Sequence, residues 1–168
     1  MKATKWKSYS LALIAGMSVL TACSSDDNND NGGNGNNGNG NEIENGTTLK
    51  GTITSDVTLT AGSTYKLSGE YIVEDGATLN IEAGVKIISI YDDIVDYILV
   101  KQGGKINAVG TSSAPIVMTS EKEEPGAWGG IHICGKAHTN AEGGKGSSEI
   151  GGATYGGNDD ADNSGTLK

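Results

Sequence analysis

Two stretches decide the fold: Val73-Glu74-Asp75-Gly76-Ala77-Thr78-Leu79-Asn80-Ile81 and, 27 positions on, Val100-Lys101-Gln102-Gly103-Gly104-Lys105-Ile106-Asn107-Ala108. Val, Gly and Asn coincide between them, and Leu79 faces Ile106. A looser copy sets Leu59-Thr60-Ala61-Gly62-Ser63-Thr64-Tyr65-Lys66-Leu67 against Ile81-Glu82-Ala83-Gly84-Val85-Lys86-Ile87, with an insertion in the first. Self-similarity at a fixed spacing marks stacked architectures. Each copy puts a Gly at a corner and its aliphatic residues on one face, as the coils of a parallel β-helix require. Asn80 and Asn107 would then stack in successive coils, where their amides can form a ladder.

Working outward, apolar and polar residues alternate in short bursts at 57–60, 64–67, 79–82, 85–87, 105–108, 116–119 and 131–134, punctuated by Gly62, Gly69, Gly76, Gly84, Gly104 and Gly110. Period-2 alternation with one buried face is the strand signature. No sustained 3.6 periodicity is present, and 27 Gly among 168 residues, with 35% apolar residues and no Phe, exclude a dense helical bundle. The expectation is an all-β chain from residue 47 to 168, with long loops at about 88–97 and 135–165. All 12 basic residues are Lys, against 21 acidic ones, for a net charge of −9. Nucleic acid is disfavoured as a partner, because phosphate recognition relies on clustered Lys and Arg.

The first 46 residues read as address and tether. Lys2, Lys5 and Lys7 precede the apolar run Leu11–Leu20, too short to span a bilayer and of the length of a signal sequence, giving a signal peptide over 1–22. Leu20-Thr21-Ala22-Cys23 resembles a bacterial lipobox, which implies a covalent lipid on Cys23, and Ser24-Ser25-Asp26-Asp27 is similar to the acidic tag of Bacteroidota lipoproteins sent to the outer face of the outer membrane. The periplasmic face is the alternative location. Several acyl chains hold a protein stably where one does not. Residues 23–46 are read as a disordered tether: 28–46 contain nine Asn and six Gly with Ile43 as the one apolar residue, too little to pack. As a flexible coil it reaches roughly 25 Å.

Gly110-Thr111-Ser112-Ser113-Ala114-Pro115-Ile116-Val117-Met118-Thr119-Ser120, Gly126-Ala127-Trp128-Gly129-Gly130-Ile131 and the later Gly156-Gly157-Asn158 with Ala161-Asp162-Asn163-Ser164-Gly165 resemble a family of secreted or lipid-anchored right-handed parallel β-helix proteins of the Bacteroidota, of pectate-lyase-like fold. The resemblance runs from about Thr54 to Lys168 and implies surface proteins whose chains continue into further coils. The expectation is therefore an incomplete solenoid, the N-terminal portion of a longer protein, since a solenoid end needs a cap.

Few residues suggest chemistry, and the sequence names no catalytic residue. Asp92, Asp93 and Asp96 beside Tyr97 are paired carboxylates of the kind that serve as acid and base or hold Ca²⁺, but β-helix polygalacturonases also need G-H-G and R-I-K elements, absent here; the stretch reads as an acidic solvated loop. Asp160, Asp162 and Ser164 before Gly165 fit the start of an EF-hand-like loop and are the Ca²⁺ candidates, although no helix pattern precedes them. His132 and Cys134 lie two apart on one side of a strand, a spacing open to a metal pair or a Cys–His couple, with a free thiol on an outer coil face as the plainer reading. The run Gly143-Gly144-Lys145-Gly146-Ser147-Ser148 lacks the order of a phosphate loop and reads as a flexible loop. Trp128 and Tyr65 are read as structural, whereas Tyr91, Tyr97 and Tyr155 are candidates for surface contact with a glycan or protein.

The expected function is a structural, adhesive or glycan-binding role at the cell surface, with no enzyme activity and no cofactor beyond the lipid. The alternative is the N-terminal part of a polysaccharide lyase or hydrolase whose catalytic coils lie beyond residue 168.

Overall fold

A computed structural model describes residues 41–168; the expected signal peptide over 1–22, Cys23 and the expected tether through residue 40 lie outside the described residues. Among the described residues, period-2 alternation becomes thirteen short strands and one 3₁₀ turn, Glu142–Gly144. The first face of the solenoid is an all-parallel sheet of β1 (Asn41–Ile43), β3 (Val57–Leu59), β5 (Thr78–Ile81), β8 (Lys105–Ala108) and β13 (Gly165–Leu167), in that order. The other strands of the coils are β2 (Thr48–Ile53), β4 (Thr64–Val73), β6 (Lys86–Ser89), β7 (Tyr97–Val100), β9 (Val117–Ser120) and β10 (Gly130–Ile133), also parallel.

β4 shows how one sheet becomes two further faces. It runs beside β2 on one edge, while on the other its Thr64–Leu67 half pairs with β6 and its Glu70–Val73 half with β7. Between the halves sits Gly69 at φ +67°, a left-handed conformation that turns the strand and that a residue with a Cβ adopts poorly. The second face thus carries β6 and β9, and the third carries β7 and β10.

The registers explain the repeat. Leu59 pairs with Ile81 and Tyr65 with Ile87, both 22 apart, so a bare coil is 22 residues and the looser copy contains no insertion. Leu67 is therefore opposite Ser89 rather than Ile87, and the buried Ser89 hydroxyl is satisfied there by donating to the buried Asp96 carboxylate at 2.7 Å. From Glu70–Tyr97 onward the offset is 97 − 70 = 27, five more than before, because the corner excursion 90–96 stands where the previous coil has only 68–69, and Thr78–Lys105 keeps it. Asn80 and Asn107 are cross-strand partners, Asn107 Nδ2 donating to Asn80 Oδ1 at 3.2 Å.

Inside, rows such as Val57–Leu79–Ile106 and Tyr71–Ile98 stack with Leu49, Leu67, Val73, Val85, Ile87 and Val100 into one continuous core. Each fully buried aliphatic contributes about 1.5–3 kcal/mol. Tyr65 lies wholly inside and donates its hydroxyl to Ile43 O at 2.8 Å. That bond and the Ile43 side chain, packed on the core, draw Asn41–Ile43 into the first face, ahead of the composition-based boundary at 46. The single apolar residue of the stretch suffices because the backbone of β1 completes the ladder on β3.

The long loop expected over 135–165 is in part structured. β11 (Lys145–Ser147) and β12 (Thr154–Gly156) form an antiparallel hairpin within it. Gly146 lies under the Tyr155 ring, which a Cβ there would strike, and Lys145–Ser147 of the glycine-rich run read as a flexible loop are the first strand of that hairpin.

Candidate functional site

On the outside of the first face, Thr58, Asn80, Asn107 and Thr166 occupy one row across four coils. Parallel strands lie about 4.8 Å apart, so short polar groups repeat at that interval, with Asn107 and Thr166 exposed. The Asn80–Asn107 bond fixes the two central amides, leaving the Asn80 amide nitrogen and the Asn107 oxygen to face outward partners.

The outside of the third face is different. Tyr97-Ile98-Leu99-Val100 is buried at all four positions: Ile98 and Val100 point inward, whereas Tyr97, Leu99, Ile72 and Cys134 form a second, outer cluster that Ile150, Ala153 and Tyr155 of the hairpin segment cover. Tyr97 is therefore no surface platform. It is 8% exposed, and its hydroxyl donates to Glu70 Oε2 at 2.8 Å; burial, then Glu70, raises its pKa. Cys134 points outward as expected but is covered by the hairpin rather than free at the surface, and burial pushes its thiol up, away from nucleophilic use. His132 contacts Gly129 O at 3.1 Å and Ser148 Oγ at 3.4 Å, and packs edge-on to Tyr97. It joins hairpin to coil.

The carboxylate candidates are also occupied. Asp96 is not solvated: it is 1% exposed, accepting bonds from Gly69 N and Ser89 Oγ, and so ties the 90–96 excursion to the corner. Asp92 accepts from Ile94 N within the loop. Asp162 accepts from Lys136 N at 2.6 Å and Asp160 from His138 N at 3.0 Å, holding the two ends of the hairpin insertion together. Among the described residues no three His, Cys, Asp or Glu side chains gather as a metal-holding group. Tyr91 is 54% exposed, with Lys122 Nζ 4.6 Å from the ring centroid on one side; Tyr155 is half-buried against the outer cluster.

The structure adds groups that the sequence reading passed over. Glu74 and Lys101 pair at 2.6 Å across adjacent coils. The 27-residue offset already aligned them with opposite signs (74 + 27 = 101), a signal present in the repeat itself. Gln102 Nε2 donates to both Gly135 O and Gly156 O, anchoring the insertion. These three side chains and residues 151–154 line an open groove of about 360 Å³.

The glycine-tryptophan motif is architectural. Trp128 packs against the inner core, and Gly129, donating to Asp96 O at 2.7 Å, approaches so closely that a Cβ would come 3.0–3.1 Å from Val95, Asp96 O and Tyr97. No helix among the described residues is long and apolar enough to cross a membrane. The chain has no significant match among curated proteins or solved structures. Residues 51–168 match the profile of the pectate-lyase-like β-helix domain. That match covers most of the chain and coincides with the stacked parallel faces, so the protein belongs to the pectate-lyase-like β-helix family.

Proposed function

We propose that the protein is a lipid-anchored β-helix module of the bacterial outer surface, holding an extended glycan or protein on its outer face without transforming it. Cys23 carries the lipid and the Asn- and Gly-rich tether lifts the coils from the membrane. The observation that supports binding is the row Thr58, Asn80, Asn107, Thr166. A flat line of fixed hydrogen-bonding groups at one per coil suits a polymer that offers one such group per repeat. The acidic balance and missing Arg disfavour polyanionic ligands. The engagement of Asp96, Asp160, Asp162, Tyr97, His132 and Cys134 in internal contacts supports a binding role over a catalytic one. Family membership alone favours the second reading, a polysaccharide lyase or hydrolase with catalytic groups on coils other than those described.

Incubating the full chain with insoluble polysaccharides tests both readings. Retention without new reducing ends, weakened at least fivefold by Asn80→Ala/Asn107→Ala, is expected; release of unsaturated or reducing sugar ends would favour the enzyme. Retention indifferent to the double substitution would remove the ladder from the account. Labelling with a radioactive fatty acid, lost in Cys23→Ser, checks the anchor.

A further inference from the structure

The groove between the third-face corner and the hairpin tip lies apart from the first-face row. We infer that it is a site for one neutral sugar unit, such as the end or branch of a glycan. Its walls are Glu74, Lys101, Gln102, Ala153, Thr154 and the Gly151–Gly152 turn. Glu74 and Lys101 neutralise each other at 2.6 Å, so the groove presents a donor and an acceptor side by side with no net charge. Both protons on Gln102 Nε2 are spent on Gly135 O and Gly156 O, which fixes the amide and leaves Oε1 as a free acceptor. The amides of Gly151 and Gly152, both at positive φ, make no hydrogen bond among the described residues. Thr154 adds a hydroxyl, and Ala153 with the glycine Cα atoms adds apolar ground for the C–H face of a ring. Alternating donors and acceptors around a small apolar floor suit vicinal hydroxyls. A carboxylated sugar would meet Glu74 and a chain of net charge −9, with Lys101 already paired.

The test is a titration of the ¹⁵N-labelled full chain with galactose, glucose, mannose or N-acetylglucosamine, and separately with galacturonate. At least one neutral sugar is expected to give saturable shifts at the Gly151 and Gly152 amides and the Gln102 side-chain amide, with affinity on the order of millimolar for so small a ligand. Galacturonate should bind at least fivefold more weakly. Lys101→Met and Thr154→Val should each weaken the neutral sugar severalfold while the remaining spectrum is unchanged, and Asn80→Ala/Asn107→Ala should leave it bound, which separates this site from the polymer-binding row. Absence of saturable shifts with all four neutral sugars, equal or tighter binding of galacturonate, or indifference to both groove variants would overturn the assignment.

Discussion

The strand Tyr97–Val100 serves two apolar clusters, and they differ in kind. Its inward residues, Ile98 and Val100, sit in rows that continue from coil to coil, so each is held by equivalents in the neighbouring coil. Its outward residues, Tyr97 and Leu99, join a small patch with Ile72 and Cys134 that is dry only because the hairpin segment lies over it. The inner core is a property of the repeat. The outer cluster is a property of one insertion, which makes it the natural place for local opening.

Substitutions on either side of this strand separate the two. Ile98→Ala removes a fully buried side chain from the repeat core and should cost about 3–4 kcal/mol of global stability, measured by urea unfolding. Leu99→Ala, equally buried, should cost about 2–3 kcal/mol, less because its cover can collapse or lift. Its signature is local: amides of 145–156 exchange faster and Cys134 becomes reactive to a thiol reagent. Equal, wholly global losses would merge the two clusters into one.

A third change acts in the opposite direction. The Tyr71 hydroxyl is buried inside the coils with no hydrogen-bond partner, so Tyr71→Phe should raise stability by about 1 kcal/mol. Burial pushes its phenol up to about 12 from 10, so the folded state keeps the proton longer than the unfolded one. That contribution is complete below pH 10 and lost as pH rises through about 12. The alkaline limb of the stability curve should flatten in Tyr71→Phe; an unchanged limb would mean that other groups govern it. The smallest effect belongs to the exposed ladder: Asn80→Ala should cost no more than about 0.5 kcal/mol.

The same contrast explains what could be read from the chain alone. Coils were legible because inward rows impose period 2 and the offset between Asn80 and Asn107 returns each residue to its partner. The outer cluster was not, since it needs a contact between Leu99 and residues 150–155 that no local pattern encodes. One trace was available: four successive apolar residues, Tyr97 to Val100, are what a strand buried on both sides looks like. Tyr97 as a surface candidate failed on that point. Asp96 is hidden from a local reading for a related reason, because its carboxylate is satisfied by Gly69 N of the preceding coil and Ser89 Oγ at the same corner. The Glu74–Lys101 pair was within reach of the repeat alignment, whereas the groove beside it depends on where the hairpin settles.

The coil register carries the whole account, and a cross-link reads it directly. In a Cys23→Ser background, Asn80→Cys/Asn107→Cys places two thiols on neighbouring parallel strands in register, within the separation a disulfide bridges. Mild oxidation of the native protein should close an intramolecular disulfide rapidly, and unfolding in urea before oxidation should slow its formation. Two thiols that stay free in the native protein while cross-linking equally well in urea would contradict the stacked-coil register.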